Sequence, residues 1–269
     1  MFLNNLRLTF RHLGRQKLNT TLHIVGLTLG MSVCLLIGLF LRYELSFDTY
    51  HDHADRTYRI NSIWVDSGKK NYHYSTPLPM ADALRTEVSG LESVSLAHPV
   101  WEDIVEINPQ KILKQEHMLV VDPSFLDIFN IDVLKGNAYE ALRKPYQALL
   151  TETTAKKFFG KEDPIGKTFI FKNKFHITVA GLIRDIPSNS HLPASLLLSY
   201  VPDEQFLGNR PDGWTNVSGT STFVVLSEKY PIKNLAAQLK ALADKNINSN
   251  PNMPKFFRSE FDIQPLHDI

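Results

Sequence analysis

The longest uninterrupted apolar stretch runs from Leu22 to Leu41, LHIVGLTLGMSVCLLIGLFL, with no Asp, Glu, Lys or Arg in it. At about 1.5 Å per residue, a helix of that length spans the roughly 30 Å hydrocarbon core of a bilayer. His23 is its single ionisable residue, and the later apolar runs LLLSYV and FVVL are only of strand length. The pattern therefore predicts one membrane crossing, over residues 21–43. The run is longer than a signal-peptide core of about 7–15 residues, and the RYELSFD after it lacks a small-x-small cleavage pattern. An uncleaved anchor is the expectation.

Ahead of the span, Leu3, Leu6, Phe10 and Leu13 recur at helical spacing beside Arg7, Arg11 and Arg15. Residues 1–20 are expected to form a basic amphipathic helix on the inner leaflet, its cations near lipid phosphates. Arg7, Arg11, Arg15 and Lys17 precede the span and Arg42 alone stands just after it. The positive-inside rule then places the N-terminus in the cytoplasm and the main domain outside. Within the span, Gly26, Gly30, Cys34 and Gly38 repeat every fourth residue and so line one face. Small side chains there let another helix approach closely. A frayed basic leader and a chance stripe are the plainer readings of these two patterns.

After the span the periodicity separates three blocks. In residues 44–100, Tyr58, Ile60 and Ser62 alternate with Arg59, Asn61 and Ile63 as in a strand, and a turn follows at Ser67-Gly68. Pro79 stands at a helix start with Met80, Leu84 and Val88 on one face, and Val94 and Leu96 resume a period of two. Residues 220–269 repeat that plan. Thr222 to Leu226 is a strand, and Pro231 opens a helix with the stripe Ile232, Leu235, Ala236, Leu239 and Leu242. A polar loop from Asn246 to Pro254 leads to a last strand with Phe261 and Ile263.

The middle block, residues 101–219, is richer in strands. TFIFKNKFHITVAGLI reads as a hairpin with Phe175, Ile177 and Val179 on one face. Before it, TETTAKKFFG reads as a short helix closed by Gly160. The expected fold class is α+β: one transmembrane helix, then a split strand–helix–strand subdomain with a β-rich subdomain inserted between its halves.

Composition changes little. The chain has 269 residues, 43% hydrophobic, with a net charge of +1, an ordinary globular balance without the basic excess of a nucleic-acid binder. Its one cysteine, Cys34, excludes an internal disulfide and suits a packing position. GKEDPIGKT has five residues between its glycines, including Pro164, where a phosphate-binding loop needs four, so it is expected to be a turn. His51, Asp52, His53 and Asp55 in HDHAD could share a metal on a strand, but the polar context suggests a solvated loop or cap. DIPSNSHLP holds the residue types of a hydrolase triad within a turn-rich loop that lacks a nucleophile elbow. Asn216-Val217-Ser218 is a sequon with meaning only in a eukaryotic secretory setting. No catalytic, cofactor or metal residue is expected.

Four segments, in order, carry a family resemblance: ELSFDTYHDHADRTYRI, VDPSFLDIFNIDVLKG, ALLTETTAKKFFGKEDPIGKTF and VAGLIRDIPSNSHLP. The chain resembles, over essentially its whole length, the N-terminal helix and periplasmic core domain of FtsX/MacB-type ABC transporter permeases in their Bacteroidetes-like form. That resemblance implies a split porter-like subdomain with an inserted sabre-like one. It implies an inner-membrane permease that pairs with a second copy, couples to a separate cytoplasmic ABC ATPase, and drives export or release in the periplasm by mechanotransmission. The span from Leu22 to Tyr43 would be its moving element. With no ATPase domain ahead of the helix, ATP hydrolysis is expected on another chain. Three further membrane helices follow this domain in the family, so ending at QPLHDI implies an N-terminal portion, a truncation or a single-span variant. Relatives handle different cargo, and fold does not fix a substrate. Two other classes stay open. A single-span sensor or ligand-binding module would need a cytoplasmic output domain, which the residues before the span are too few to supply. An anchored periplasmic enzyme would need a nucleophile, metal set or carboxylate pair that the sequence does not display.

Overall fold

The chain follows the expected order of elements in a computed structural model that describes residues 11, 15, 17–201, 204–207, 213–217, 219–251, 254 and 256–269. It divides into two units, Met1–Phe47 and Asp48–Ile269.

In the first unit, helix α1 covers Lys17–Glu44, and none of its residues is buried. A helix apolar on all sides finds its stable environment in a bilayer or among other helices. The hydroxyl of Thr28 donates to the Ile24 carbonyl at 2.7 Å, so this polar group inside the apolar run is satisfied within the helix. Gly26, Gly30 and Gly38 have open space where a Cβ would stand, and Cys34 is exposed with a free thiol. Arg11 and Arg15 are helical and exposed, as is Lys17. Arg7, with Leu3, Leu6, Phe10 and Leu13 of the expected amphipathic helix, lies outside the described residues.

The second unit is built on one eleven-stranded sheet. Strand β1 (Thr57–Asp66) turns back through Ser67 and Gly68, both at positive φ, into β2 (Lys69–His73). Strand β1 also pairs antiparallel with β10 (Ser221–Leu226) and β11 (Phe257–Pro265). The outer two blocks of the sequence thus meet in one piece of sheet. Helix α2 (Met80–Glu87) and the helix at Ile232–Ala243 pack on it, burying Met80, Leu84, Leu235, Leu239 and Leu242 against Ile60, Val94, Leu96, Val224 and Leu226. The second helix runs on through Asp244–Asn248, three residues into the loop expected from Asn246. Ile247 is buried there, and apolar burial carries the turn past the polar sequence.

Strand β3 (Leu91–Asn108) is 18 residues long and crosses residue 100 without a break. Its far half belongs to a ring. Strand β3 pairs with β4 (Lys111–Val121), β4 with β9 (Leu196–Ser199), and β9 with β6 (Gln147–Thr151). Strand β6 pairs with β8 (Phe175–Ile183), β8 with β7 (Thr168–Phe171), and β7 returns to β3. Closing the ring covers strand edges where the pairings meet, whereas β4 before Met118 has only β3 beside it. Inside it lie Val105, Met118, Val120, Leu150, Phe169, Phe171, Ile177 and Val179.

Side-chain alternation sorts the continuous apolar strands onto separate cores. Leu196 and Leu198 join the ring interior while Leu197 faces the opposite cluster; Val224 and Leu226 face the two helices while Phe223 and Val225 face away from them. The third cluster holds Leu119, Val121, Phe125, Phe129, Leu149, Leu197 and Phe223. It lies beneath the segment where the chain enters this unit.

The short helix of TETTAKKFFG is formed as expected: Thr151 accepts from the Thr154 N–H at 3.3 Å, and Gly160 ends it at φ +66°. GKEDPIGKT is a turn, closed by the Lys167 N–H on the Pro164 carbonyl at 3.1 Å.

Candidate functional site

Asp48, the first residue of the second unit, is 1% exposed and holds φ +50°. Left-handed backbone is tolerated by Asp better than by most side chains, because its short carboxylate bonds locally. Its own N–H donates to the Asn189 carbonyl at 3.1 Å. Oδ2 accepts from the His191 N–H at 3.2 Å and lies 2.8 Å from His191 Nδ1; Oδ1 lies 3.4 Å from His51 Nε2. A buried carboxylate therefore sits between two imidazoles and pins the chain's entrance to the loop at 189–191. Burial by itself raises the Asp48 pKa, yet hydrogen bonds from His51, His191 and Ser190 together hold it below the ordinary carboxylate value.

The segment that follows is fastened residue by residue. The Asp52 N–H donates to Asn130 Oδ1 at 2.9 Å, and Asn130 Nδ2 returns a bond to Asp52 Oδ2 at 2.6 Å. His53 Nδ1 lies 3.0 Å from Arg56, whose guanidinium also reaches Glu92 and the Leu226 carbonyl. HDHAD was expected as a solvated loop or cap. It is a cap, but His51 is buried, packed between the rings of Tyr50 and Phe129 at centroid distances of 4.2 and 5.3 Å. Aromatic contact and the Asp48 carboxylate together draw it in.

Beneath this cap lies a cavity of about 150 Å³ lined by Tyr50, His51, Phe125, Phe129, Arg184 and Ile186, among others. Burial raises the Tyr50 pKa, with the Asp48 charge adding to it against a hydrogen bond from Ser190. Asp185, beside the cavity, is occupied by Thr153, whose N–H donates at 3.0 Å and hydroxyl at 2.6 Å, fixing the start of helix Glu152–Phe159. Asp122 bonds the N–H groups of Leu96 and Ser124 and pairs with Arg85, tying VDPSFLDIF to β3 and to α2. Parts of the four segments singled out in the sequence thus meet within the second unit, in a joint made of Asp48, the cap and the cavity beneath it.

The arrangement does not resemble a hydrolase site. In a triad the imidazole stands between hydroxyl and carboxylate. Here the Asp48 carboxylate itself stands between two imidazoles, while Asp185 is turned to Thr153. Among the described residues no group of His, Cys, Asp and Glu is placed to hold a metal. Sequence reasoning missed Asp48, Tyr50 and Asn130. All three are polar residues in turn-like surroundings, and the positive φ of Asp48 and Asn130 leaves no mark in the sequence.

Asp48 gives the joint a definite acid sensitivity. A carboxylate whose folded pKa lies below its unfolded value of about 3.9 contributes stability fully above that value and loses it as pH falls through the folded one. Below about pH 4 the melting temperature is expected to fall more steeply for the wild-type chain than for Asp48→Asn, which has no carboxylate to titrate. Parallel acid titrations of the melting temperature check this.

One helix long and apolar enough to cross a membrane, followed by an α+β unit with a closed strand ring, defines the class: a β-rich domain behind a candidate N-terminal membrane span. Residues 20–242 match the family described as MacB-like periplasmic core domain, and the chain belongs to that family. Solved structures with the same fold include a domain assigned to a permease protein of Porphyromonas gingivalis, at 20% identity and TM-score 0.69, covering 80% of this chain and 91% of that one. The periplasmic region of MacB from Actinobacillus actinomycetemcomitans aligns at 19% identity and TM-score 0.52, covering 81% and 94%. The extracellular domain of the noncanonic ABC-type transporter YknZ from Gram-positive bacteria aligns at 13% and 0.51, covering 75% and 98%. No curated protein sequence matches.

Proposed function

We propose that the chain is the N-terminal portion of an ABC transporter permease whose membrane helix moves its periplasmic domain through the Asp48 joint. Membership of the MacB-like family supports the transporter setting. The observation that carries the mechanical reading is the burial of Asp48 and its bonds to both Asn189 and His191, directly where the chain continues from the helix-bearing unit. A freely hinged tether would need none of them. A strained, fully bonded residue at that position passes a displacement on to the domain with little slack.

In this proposal ATP is hydrolysed by a separate cytoplasmic ATPase, and the permease works as a dimer. Arg7, Arg11, Arg15 and Lys17 lie at the cytoplasmic lipid surface. The face of Gly26, Gly30, Cys34 and Gly38 packs on the remaining helices of the permease or its second copy. Residues 44–100 and 220–269 form the porter-like part, and residues 101–219, with most of the strand ring, the sabre-like part.

The test uses the intact permease with its ATPase in nanodiscs, with Cys34→Ser and no other cysteine. Spin labels go on Lys69→Cys, at the exposed β1–β2 turn of each copy. The distance between the two labels is expected to shift by several ångströms between nucleotide-free and ATP-trapped states. An unchanged distance distribution would count against mechanical coupling.

A further inference from the structure

A second cavity, of about 360 Å³, lies elsewhere in the external unit. Its volume falls within the range of small-molecule sites. Arg59 of β1, Tyr74 just beyond β2, Trp101 and His117 of the β3–β4 pair, and His191 contribute to its walls. Trp101 is 63% exposed and Tyr74 55%, two large rings left to solvent at the mouth of one cavity. Such rings, with arginine, are the side chains that carry most of the energy at binding sites.

The backbone is irregular here. The β3–β4 pairing joins Val100 to Met118 and Glu102 to Glu116, but skips Trp101 and His117, which face each other across the ladder. His117 holds φ +54°, and its carbonyl accepts from the Ser195 N–H at 2.7 Å. Backbone held in a sparsely populated region concentrates at ligand sites.

Charge gives the chemistry. Arg59 is half-buried, and its guanidinium bonds Asn61 at 3.0 Å and Gln264 at 2.8 Å, 5.9 Å from the centre of the Tyr74 ring. Among the described residues it has no carboxylate partner, and burial lowers its pKa. The walls add His117 and His191 and include no Asp or Glu. A guanidinium partly removed from water without a counter-ion is costly, and a ligand carboxylate would offset that cost through charge-assisted hydrogen bonds.

We propose that this cavity binds a small amphipathic carboxylate, its aromatic or apolar group between Trp101 and Tyr74 and its charge against Arg59. The site goes beyond the transport reading and does not depend on it. It does touch the joint, because His191 lines the cavity and its Nδ1 lies 2.8 Å from Asp48 Oδ2.

The test is saturation-transfer difference NMR on the full chain in lipid nanodiscs, with empty nanodiscs subtracted. The probes are N-acetylphenylalanine, which carries a carboxylate, and its neutral amide. The acid is expected to give a saturable signal at least about fivefold stronger than the amide. Arg59→Gln should abolish that preference, and Trp101→Ala should weaken both probes. Because Trp101 is exposed, its truncation leaves the core intact and keeps the test decisive even if Arg59→Gln fails to fold. Equal signals for acid and amide on the wild-type chain would overturn the proposal, as would full binding by Trp101→Ala.

Discussion

Replacing Asp48 by alanine is expected to destabilise the external unit by about 3 kcal/mol, a drop in melting temperature of roughly 6–12 °C for a unit of this size. The substitution removes the acceptor for the buried His51 Nε2 and for the Nδ1 and N–H of His191, whose ring is partly exposed. Stranded buried donors lose their bonds without regaining hydration, which is the costly side of hydrogen-bond energetics. The left-handed φ of +50° adds a backbone penalty of about 1 kcal/mol for alanine that glycine escapes. Asparagine tolerates that backbone and still offers an amide oxygen. The expected order of loss is alanine, then glycine, then asparagine, measured by thermal or urea unfolding of the full chain.

The second large effect is expected at Gly136. This residue ends the short strand Val133–Gly136, pairs with Gly181 of β8, and has φ +89°. A Cβ there would overlap the Ala180 carbonyl oxygen, which is backbone and cannot swing aside. Left-handed strain and overpacking add, giving a loss of about 3 kcal/mol or more for Gly136→Ala. Gly160, also at positive φ, has open space where a Cβ would stand, so Gly160→Ala should cost only the backbone term of about 1–2 kcal/mol. Melting of the two variants side by side separates the contributions. A small effect at Gly136 would mean that the pairing of Val133–Gly136 with β8 is free to shift.

The contrast between these two sites shows what the sequence makes legible. Local signals survive translation into structure. The hairpin at Thr168–Ile183 turns through Lys172 and Asn173 at positive φ, with Phe175, Ile177 and Val179 buried as its alternation predicts. The stripe Leu235, Leu239 and Leu242 lies in a core, whereas Ile232, at the first turn, is 40% exposed. Strand β2 is hidden because KKNYH is almost wholly exposed and owes its form to pairing with β1. The length of β3 is hidden by Pro99 and by the charged pair Glu102 and Asp103, which interrupt the apolar pattern. Closure of the ring depends on pairings far apart in sequence, such as Val105 with Phe171, and no local pattern encodes them.

The joint was least legible, although its pieces were in plain view in the four segments that carry the family resemblance. Asp48 reads as one more acid in a polar stretch until the loop carrying His191, 143 residues later, is folded against it. Likewise Asp185 was grouped with Ser190 and His191 by residue type, yet it serves Thr153 while His191 serves Asp48. Residue types announce potential chemistry, and the partners that decide it come from tertiary packing.

Transmission is tested most directly by Asp48→Gly, which removes the bonds of the Asp48 side chain to His51 and His191 while leaving the backbone free to keep its positive φ. In the intact permease with its ATPase, turnover of ATP and the Lys69-to-Lys69 spin-label distance are measured together. The variant is expected to hydrolyse ATP near the wild-type rate while the nucleotide-dependent distance shift shrinks to less than about half. A shift of full size in Asp48→Gly would contradict transmission through the joint, because the helix would then be moving the domain without it.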